Sequence, residues 1–239
     1  MADWLSYTLS DFLLFSSSTY YRLFGLYNSD LWPAHLIVVA LSLVFLWLIL
    51  RGGEKSGRWA CALLAAAWAW TGWAFVWERY ATINWAAAYV APLFAVEAAL
   101  LLWLALKHPF LPGARDAAGQ AGLALLAFAV LLQPFVRIAL GRPWTEAELF
   151  GLAPDPTVVG TLGAALMLNS RTSLVLIPIP LLWCMLSGAT LWTMGAPEAW
   201  VMLAAAALAL LLTVRRSIGS RSSAAEIALQ ERDERAGRQ

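Results

Sequence analysis

The residues with chemistry to offer are few and regularly placed. Gln133 and Arg137 stand four apart, so a helix carries them on one face. A guanidinium there can grip a carboxylate or phosphate through two parallel hydrogen bonds. Asp155-Pro156-Thr157 reads as a helix start, with Asp155 or Thr157 capping and Pro156 in the first turn. Gly160, Thr161, Gly163 and Ala164 follow, small enough for close backbone approach. Free N–H groups at such a half-helix end suit an anion; the plainer reading is a short packed helix after a buried loop. Glu97 stands alone in an apolar run, about nine residues, or ~14 Å, from its end. A carboxyl at that depth is a candidate proton-coupling group, or else hydrogen-bonds to a neighbouring helix. His35, Arg79 and Asn84 complete the set of candidate ligand contacts.

Several chemistries are missing. There is no GxSxG elbow, no HExxH pair, no Gly-rich phosphate loop and no paired-aspartate motif. Cys61 and Cys184 are isolated, and His35 and His108 fall in different segments, so neither a disulfide framework nor a metal site is expected. Lys55 and Lys107 both sit at segment ends, where neither can form a retinal Schiff base inside the last span. No catalytic residue, metal or cofactor is nominated.

The elements that must position these residues follow from composition. The chain has 239 residues, 61% hydrophobic, with mean hydropathy +0.68 and 13% charged. Soluble domains carry about 25% charge, so a soluble globule and a disordered chain are both excluded. Net charge is +1 and the basic residues are spread over loops and a tail, which excludes a nucleic-acid footprint. The expectation is an all-α polytopic transmembrane helical bundle, residues 1–214, with a polar tail at 215–239. No removable signal peptide is expected. Residues 4–15 form an amphipathic segment suited to an interface, and Tyr20, Tyr21, Arg22, Phe24 and Tyr27 have the composition of a headgroup-level belt. Residues 1–30 are therefore read as interfacial.

A crossing needs about 20 apolar residues. Runs near 32–50, 59–77, 83–106, 119–140, 174–194 and 199–214 meet that need, and 157–168 is shorter. Charge decides its course. If it crosses, making seven spans with the N-terminus outside, Arg51, Lys55, Arg58, Lys107, Arg115, Arg171, Arg215, Arg216, Arg221, Arg232, Arg235 and Arg238 face the cytoplasm. Only Arg22, Arg79, Arg137 and Arg142 lie outside, a split of 12 to 4 among the 16 basic residues. If it dips and returns, the split becomes 5 to 11, against the positive-inside bias. Seven crossings of a bacterial inner membrane, with a cytoplasmic C-terminus, are expected. Residues 223–236 are helix-forming and mixed in charge.

In that topology His35, Thr71, Glu78, Arg79, Asn84, Gln133 and Arg137 all approach the outer surface, beneath a loop carrying Arg142, Glu146, Glu148 and Asp155. An outward-facing polar vestibule is the sharp reading. The plainer one lets Arg79 and Arg137 snorkel to headgroups and Glu78 pair with Arg79. Of 14 Trp residues, Trp59, Trp70, Trp73 and Trp77 share about 60° of arc on the second span. That stripe can stack on a flat or cationic ligand, or pack against lipid or another helix. Ala65, Ala69 and Gly72 opposite it suit close helix contact.

The chain also resembles an uncharacterised bacterial multi-spanning membrane family, a domain of unknown function. The resemblance rests on Trp4, Tyr7, Leu9, Asp11-Phe12-Leu13-Leu14-Phe15, Tyr20-Tyr21-Arg22-Leu23-Phe24, Tyr27-Asn28 and Trp32-Pro33-Ala34. It continues through Ile83-Asn84, Ala86-Ala87, Pro154, Pro156-Thr157, Thr161-Leu162-Gly163, Ile177-Pro178 and Leu182-Trp183. Residues 107–142 and the tail add little. Relatives often carry Cys where this chain has Asp155 and Gln where it has Glu97. The resemblance implies the architecture and brings no established activity. From the residues, the expected function is a small-solute or ion permease. The alternative is a non-transporting subunit, assembly factor or sensor. Expected partners are membrane lipid and a second copy or another membrane protein, with no nucleic acid.

Overall fold

The computed structural model describes residues 13, 15–107, 116–168 and 170–236. The interfacial segment expected at 4–15 lies largely outside them. Among the described residues the secondary structure is helical throughout: α1 (Ser17–Leu31), α2 (His35–Arg51), α3 (Glu54–Ile83), α4 (Trp85–Lys107), α5 (Ala117–Ala139), α6 (Pro154–Leu166), α7 (Ser170–Leu176), α8 (Pro178–Thr193) and α9 (Ala199–Ala236). The expected apolar runs are helical, except that the run at 174–194 is broken at Ile177 between α7 and α8, and residues 223–236 continue α9. Four helices are long and apolar enough to cross a membrane: α3, α4, α5 and the Ala199–Ile218 part of α9. The pair α1 and α2, bent by 97° at Trp32–Ala34, makes a fifth candidate.

Local chemistry sets the breaks. Gly52 and Gly53 hold φ of +66° and +86°, so only glycine closes the α2–α3 turn without strain. Pro134 cannot donate to the carbonyl four residues back, and α5 widens into π turns over Phe128–Leu132 just before it. Asn84 ends α3 and opens α4; its side-chain oxygen accepts from the N–H of Ala86 at 3.2 Å.

The centre of the bundle is α6, all of whose 13 residues are buried. Its small residues permit this. A Cβ on Gly163 would lie 2.5 Å from the Gly122 carbonyl oxygen, and one on Gly122 equally close to that of Gly163. The α5 and α6 backbones therefore touch, as small residues allow between apolar helices. Expected caps are corrected here. The helix begins at Pro154, its N-cap is Ala153, and no side chain caps it. Thr157 instead donates back to the Ala153 carbonyl and accepts from the Gly151 N–H.

The loop into α6 is buried, so its carbonyls need donors. Ser42 reaches Phe150, Thr71 reaches Gly151, and Tyr27 reaches Leu152. Trp68 then donates to Thr161 at 2.8 Å. The tryptophan stripe is largely exposed on the bundle's outside, at Trp59, Trp70, Trp73 and Trp77, although Trp70 donates to the Tyr27 hydroxyl at 3.0 Å; Trp68 is buried. They offer no enclosed stacking site. Ala65 and Gly72 face inward as expected, with Gly72 tight against Phe94, while Ala69 is exposed.

Candidate functional site

Arg137 is the centre of a closed cluster. The last turns of α5 aim it into the bundle, where it is only 2% exposed. Its Nη2 donates to Glu148 Oε1 at 2.8 Å and its Nη1 to the Glu146 carbonyl at 3.3 Å. Its Nε lies 3.8 Å from Glu198 Oε1. The guanidinium also stands 4.2 Å from the ring centre of Phe24 and 5.0 Å from that of Tyr21. Tyr21 in turn donates to Glu198 at 2.6 Å, and Arg142 caps the Tyr21 ring at 3.6 Å.

Two sequence expectations are corrected by this arrangement. Arg137 neither snorkels nor opens on water; its charge is matched inside the protein. Tyr20, Tyr21, Phe24 and Tyr27 are buried, because α1 packs its aromatic face over the guanidinium and against Phe75 and Tyr80. They serve as a lid of rings, and only Arg22 of that group is exposed.

Asp155 joins the cluster from the first turn of α6. Its two oxygens accept from Trp183 Nε1 and Ser187 Oγ of α8, both at 2.8 Å. The chain's own carboxylate thus occupies the helix end that the sequence offered to an anion. Gln133 lies beside Arg137, and its Oε1 has no hydrogen-bond partner among the described residues. Burial pushes the Glu148 carboxyl up to about 8; Arg137 pulls it the other way, and the neighbouring Asp155 and Glu198 add to the rise.

The remaining candidates sit elsewhere. Arg79 ion-pairs with Asp30 at 3.3 Å, donates to the Ala74 carbonyl and covers Tyr27, instead of pairing with Glu78. Asn84 donates to the Tyr80 hydroxyl at 3.0 Å and lines a polar cavity of about 70 Å³ with Tyr20, Trp183, Ser187 and Thr190. His35 lines a larger cavity of about 570 Å³ and contacts Asn28 at 3.3 Å. Thr157 is spent on backbone contacts. Glu97 is fully buried in α4, and neither of its oxygens has a hydrogen-bond partner among the described residues. The single vestibule is thus divided into a closed ionic cluster, a small polar cavity and a wide apolar one.

Sequence reasoning nominated neither Glu148 nor Glu198 as partners of Arg137, and missed Trp183 and Ser187 as donors to Asp155. A signal for Glu198 existed: it immediately precedes the last apolar run, on the side where the expected topology puts Arg137.

The wide cavity lies where α1 meets α2 and the end of α5, under the turn at Trp144–Glu146. Trp32, Pro134, Phe135, Ile138, Trp144 and Leu149 make it apolar; Asn28, Ser29, His35 and Thr145 bring polar atoms. It is half open. A second apolar cavity of about 350 Å³ separates α2 from α3. Among the described residues no group of His, Cys, Asp and Glu could hold a metal ion.

Fold and site together define an all-helical protein with several helices of membrane-crossing length around a buried ionic cluster. A family model described as a family of unknown function (DUF6064) matches residues 17–224, and the chain belongs to that family. No curated protein and no solved structure matches it.

Proposed function

We propose that this chain is a non-transporting integral membrane protein that binds a lipid in the 570 Å³ cavity beside His35. We place it in a bacterial inner membrane with seven crossings, the shorter helices α2, α6 and α8 included, N-terminus outside and C-terminus cytoplasmic. The 12-to-4 division of basic residues supports that orientation. The observation that carries the lipid reading is the cavity's own make-up. Its walls are mostly apolar and include the exposed Trp32, Phe135 and Trp144, while the His35 Nδ1 at its edge is buried without a hydrogen-bond partner among the described residues. An acyl or isoprenoid chain fits such walls, and a headgroup hydroxyl or amine that donates to Nδ1 supplies the missing partner, since Nε2 is the nitrogen that donates to Asn28 Oδ1. Arg137 and Asp155, by contrast, are sealed and paired, which supports a static bundle over a wettable path. A permease reading has one feature on its side, the 70 Å³ polar cavity at Asn84 against the Asp155–Ser187 contact.

Native mass spectrometry of gently purified protein tests the proposal, wild type beside Ile138→Trp, which fills the cavity. The expected result is a retained lipid adduct in the wild type that is lost in the variant. Identical lipid retention in both overturns it. A small polar adduct lost on Asn84→Ala favours the permease instead.

A further inference from the structure

We propose that the space between Gln133, Arg137, Glu148, Asp155 and Glu198 is a proton-binding site: one water molecule with one exchangeable proton shared among the three carboxyls. The inference is independent of the lipid reading and rests on three features.

The first is charge. Glu148, Asp155 and Glu198 are all buried around one buried guanidinium. Arg142 adds a second positive charge from the half-buried rim, over Tyr21. Three ionised carboxylates still exceed these two cations. An uncompensated buried charge takes up a proton in preference to remaining bare.

The second is the pair of orphaned atoms. Arg137 Nε is a buried donor and Gln133 Oε1 a buried acceptor, and neither has a hydrogen-bond partner among the described residues. Both residues line one cavity of about 10 Å³. That is about the space of one water. A water there accepts from Nε and donates to Gln133 and to a carboxylate. Because the guanidinium N–H faces this space, a metal cation is repelled where a neutral water is not, and the exchangeable proton rests on a carboxyl.

The third is access. The Asp155 hydrogen bonds to Trp183 and Ser187 form the wall between this space and the 70 Å³ polar cavity lined by Asn84 and Thr190. The proton comes from water on that side and returns to it; no other bond is made or broken. The other titratable groups around the cluster are Tyr20 and Tyr21 from α1, Tyr80 from α3, Cys184 from α8, and Glu146, whose carbonyl accepts from Arg137 and whose Oε2 is buried without a partner among the described residues. The upward push on Glu148 runs the same way, although the shared proton belongs to the cluster rather than to one residue.

Infrared difference spectra of the full chain in lipid nanodiscs test this, between about pH 5 and about pH 9, a range bracketing the titration of a desolvated carboxyl. A background carrying Glu97→Gln and Glu146→Gln removes the other carboxyls with buried, unpartnered oxygens among the described residues. The expected result is a protonated-carboxyl band that shifts in heavy water and is lost on alkalinisation. It should also be lost when Glu148→Gln, Asp155→Asn or Glu198→Gln removes one negative charge. If the background protein shows no such band, the proposal is overturned without recourse to the further variants. A band that survives all three amide substitutions overturns it as well.

Discussion

Removing Arg137 should be far more damaging than removing Glu148, although the two form one ion pair. In Arg137→Gln three buried carboxyls lose their central cation. At a charge separation near 4 Å and an effective dielectric of ~20, each unit pair is worth about 4 kcal/mol. Breaking a buried pair from one side typically costs about 3–5 kcal/mol, and the lost ring contact with Phe24 adds up to ~2 kcal/mol in a desolvated site. In Glu148→Gln the amide oxygen can still accept from Nη2, and Glu198 and Asp155 still balance the guanidinium. That change exchanges a charged hydrogen bond for a neutral one, about 1 kcal/mol. The double variant should lie closer to Glu148→Gln than the sum of the two singles does, because fewer charges are left unpaired. Reversible unfolding in mixed micelles or steric trapping in bicelles measures all four proteins. If Arg137→Gln costs less than ~1 kcal/mol, the site is as wet as the surface, and the closed cluster is wrong.

Four further outcomes follow from the structure. The Glu148 carboxyl is raised from 4.5 to about 8 in the fold, so its contribution is complete below about 4.5 and lost as pH rises through about 8. Wild-type stability, followed by thermal melts, should fall across that window, and Glu148→Gln should flatten the fall. The Asp116–Arg216 pair works in the opposite sense, since Asp116 is lowered by its Arg216 hydrogen bond and loses its contribution only as pH drops below about 3.8. Glu97→Leu should stabilise by about 1–3 kcal/mol, the usual cost of a buried group left unpaired; a destabilised variant would show that Glu97 has a partner. Gly163→Ala would put its Cβ 2.5 Å from the Gly122 carbonyl and 2.7 Å from the Leu126 nitrogen, and should cost about 1–3 kcal/mol through forced separation of α5 and α6. An unchanged melting temperature would mean that those helices do not touch.

The helices were legible because apolar runs of about 20 residues have one structural outcome and end at visible signals: Gly52-Gly53, Asn84 and the turn before Pro154. The gathering of polar groups at one end was legible too, since the topology alone brings His35, Asn84 and Arg137 to one side. Their separation into three places was not. Tyr20, Tyr21 and Phe24 read alike whether they meet headgroups or a buried guanidinium, because an aromatic ring suits both. Glu148 lies in a loop with no periodicity to fix its direction, and its pairing with Arg137 depends on the chain turning at Trp144–Glu146. Asp155 announced a helix end correctly but not its role. Its partners Trp183 and Ser187 are 28 and 32 residues away, beyond any local pattern.

The most direct measurement of the central claim is photo-crosslinking with a lipid carrying a diazirine on its acyl chain, in nanodiscs, with labelled peptides mapped by mass spectrometry. Leu36, Ile37 and Val44 of α2 provide the internal standard, since they are as exposed as Phe135 and Ile138 but line no part of the 570 Å³ cavity except its edge at His35. A lipid held in the cavity predicts labelling concentrated in residues 134–149 and lost in Ile138→Trp. Labelling of that segment no greater than that of α2, and unchanged by the substitution, would contradict it.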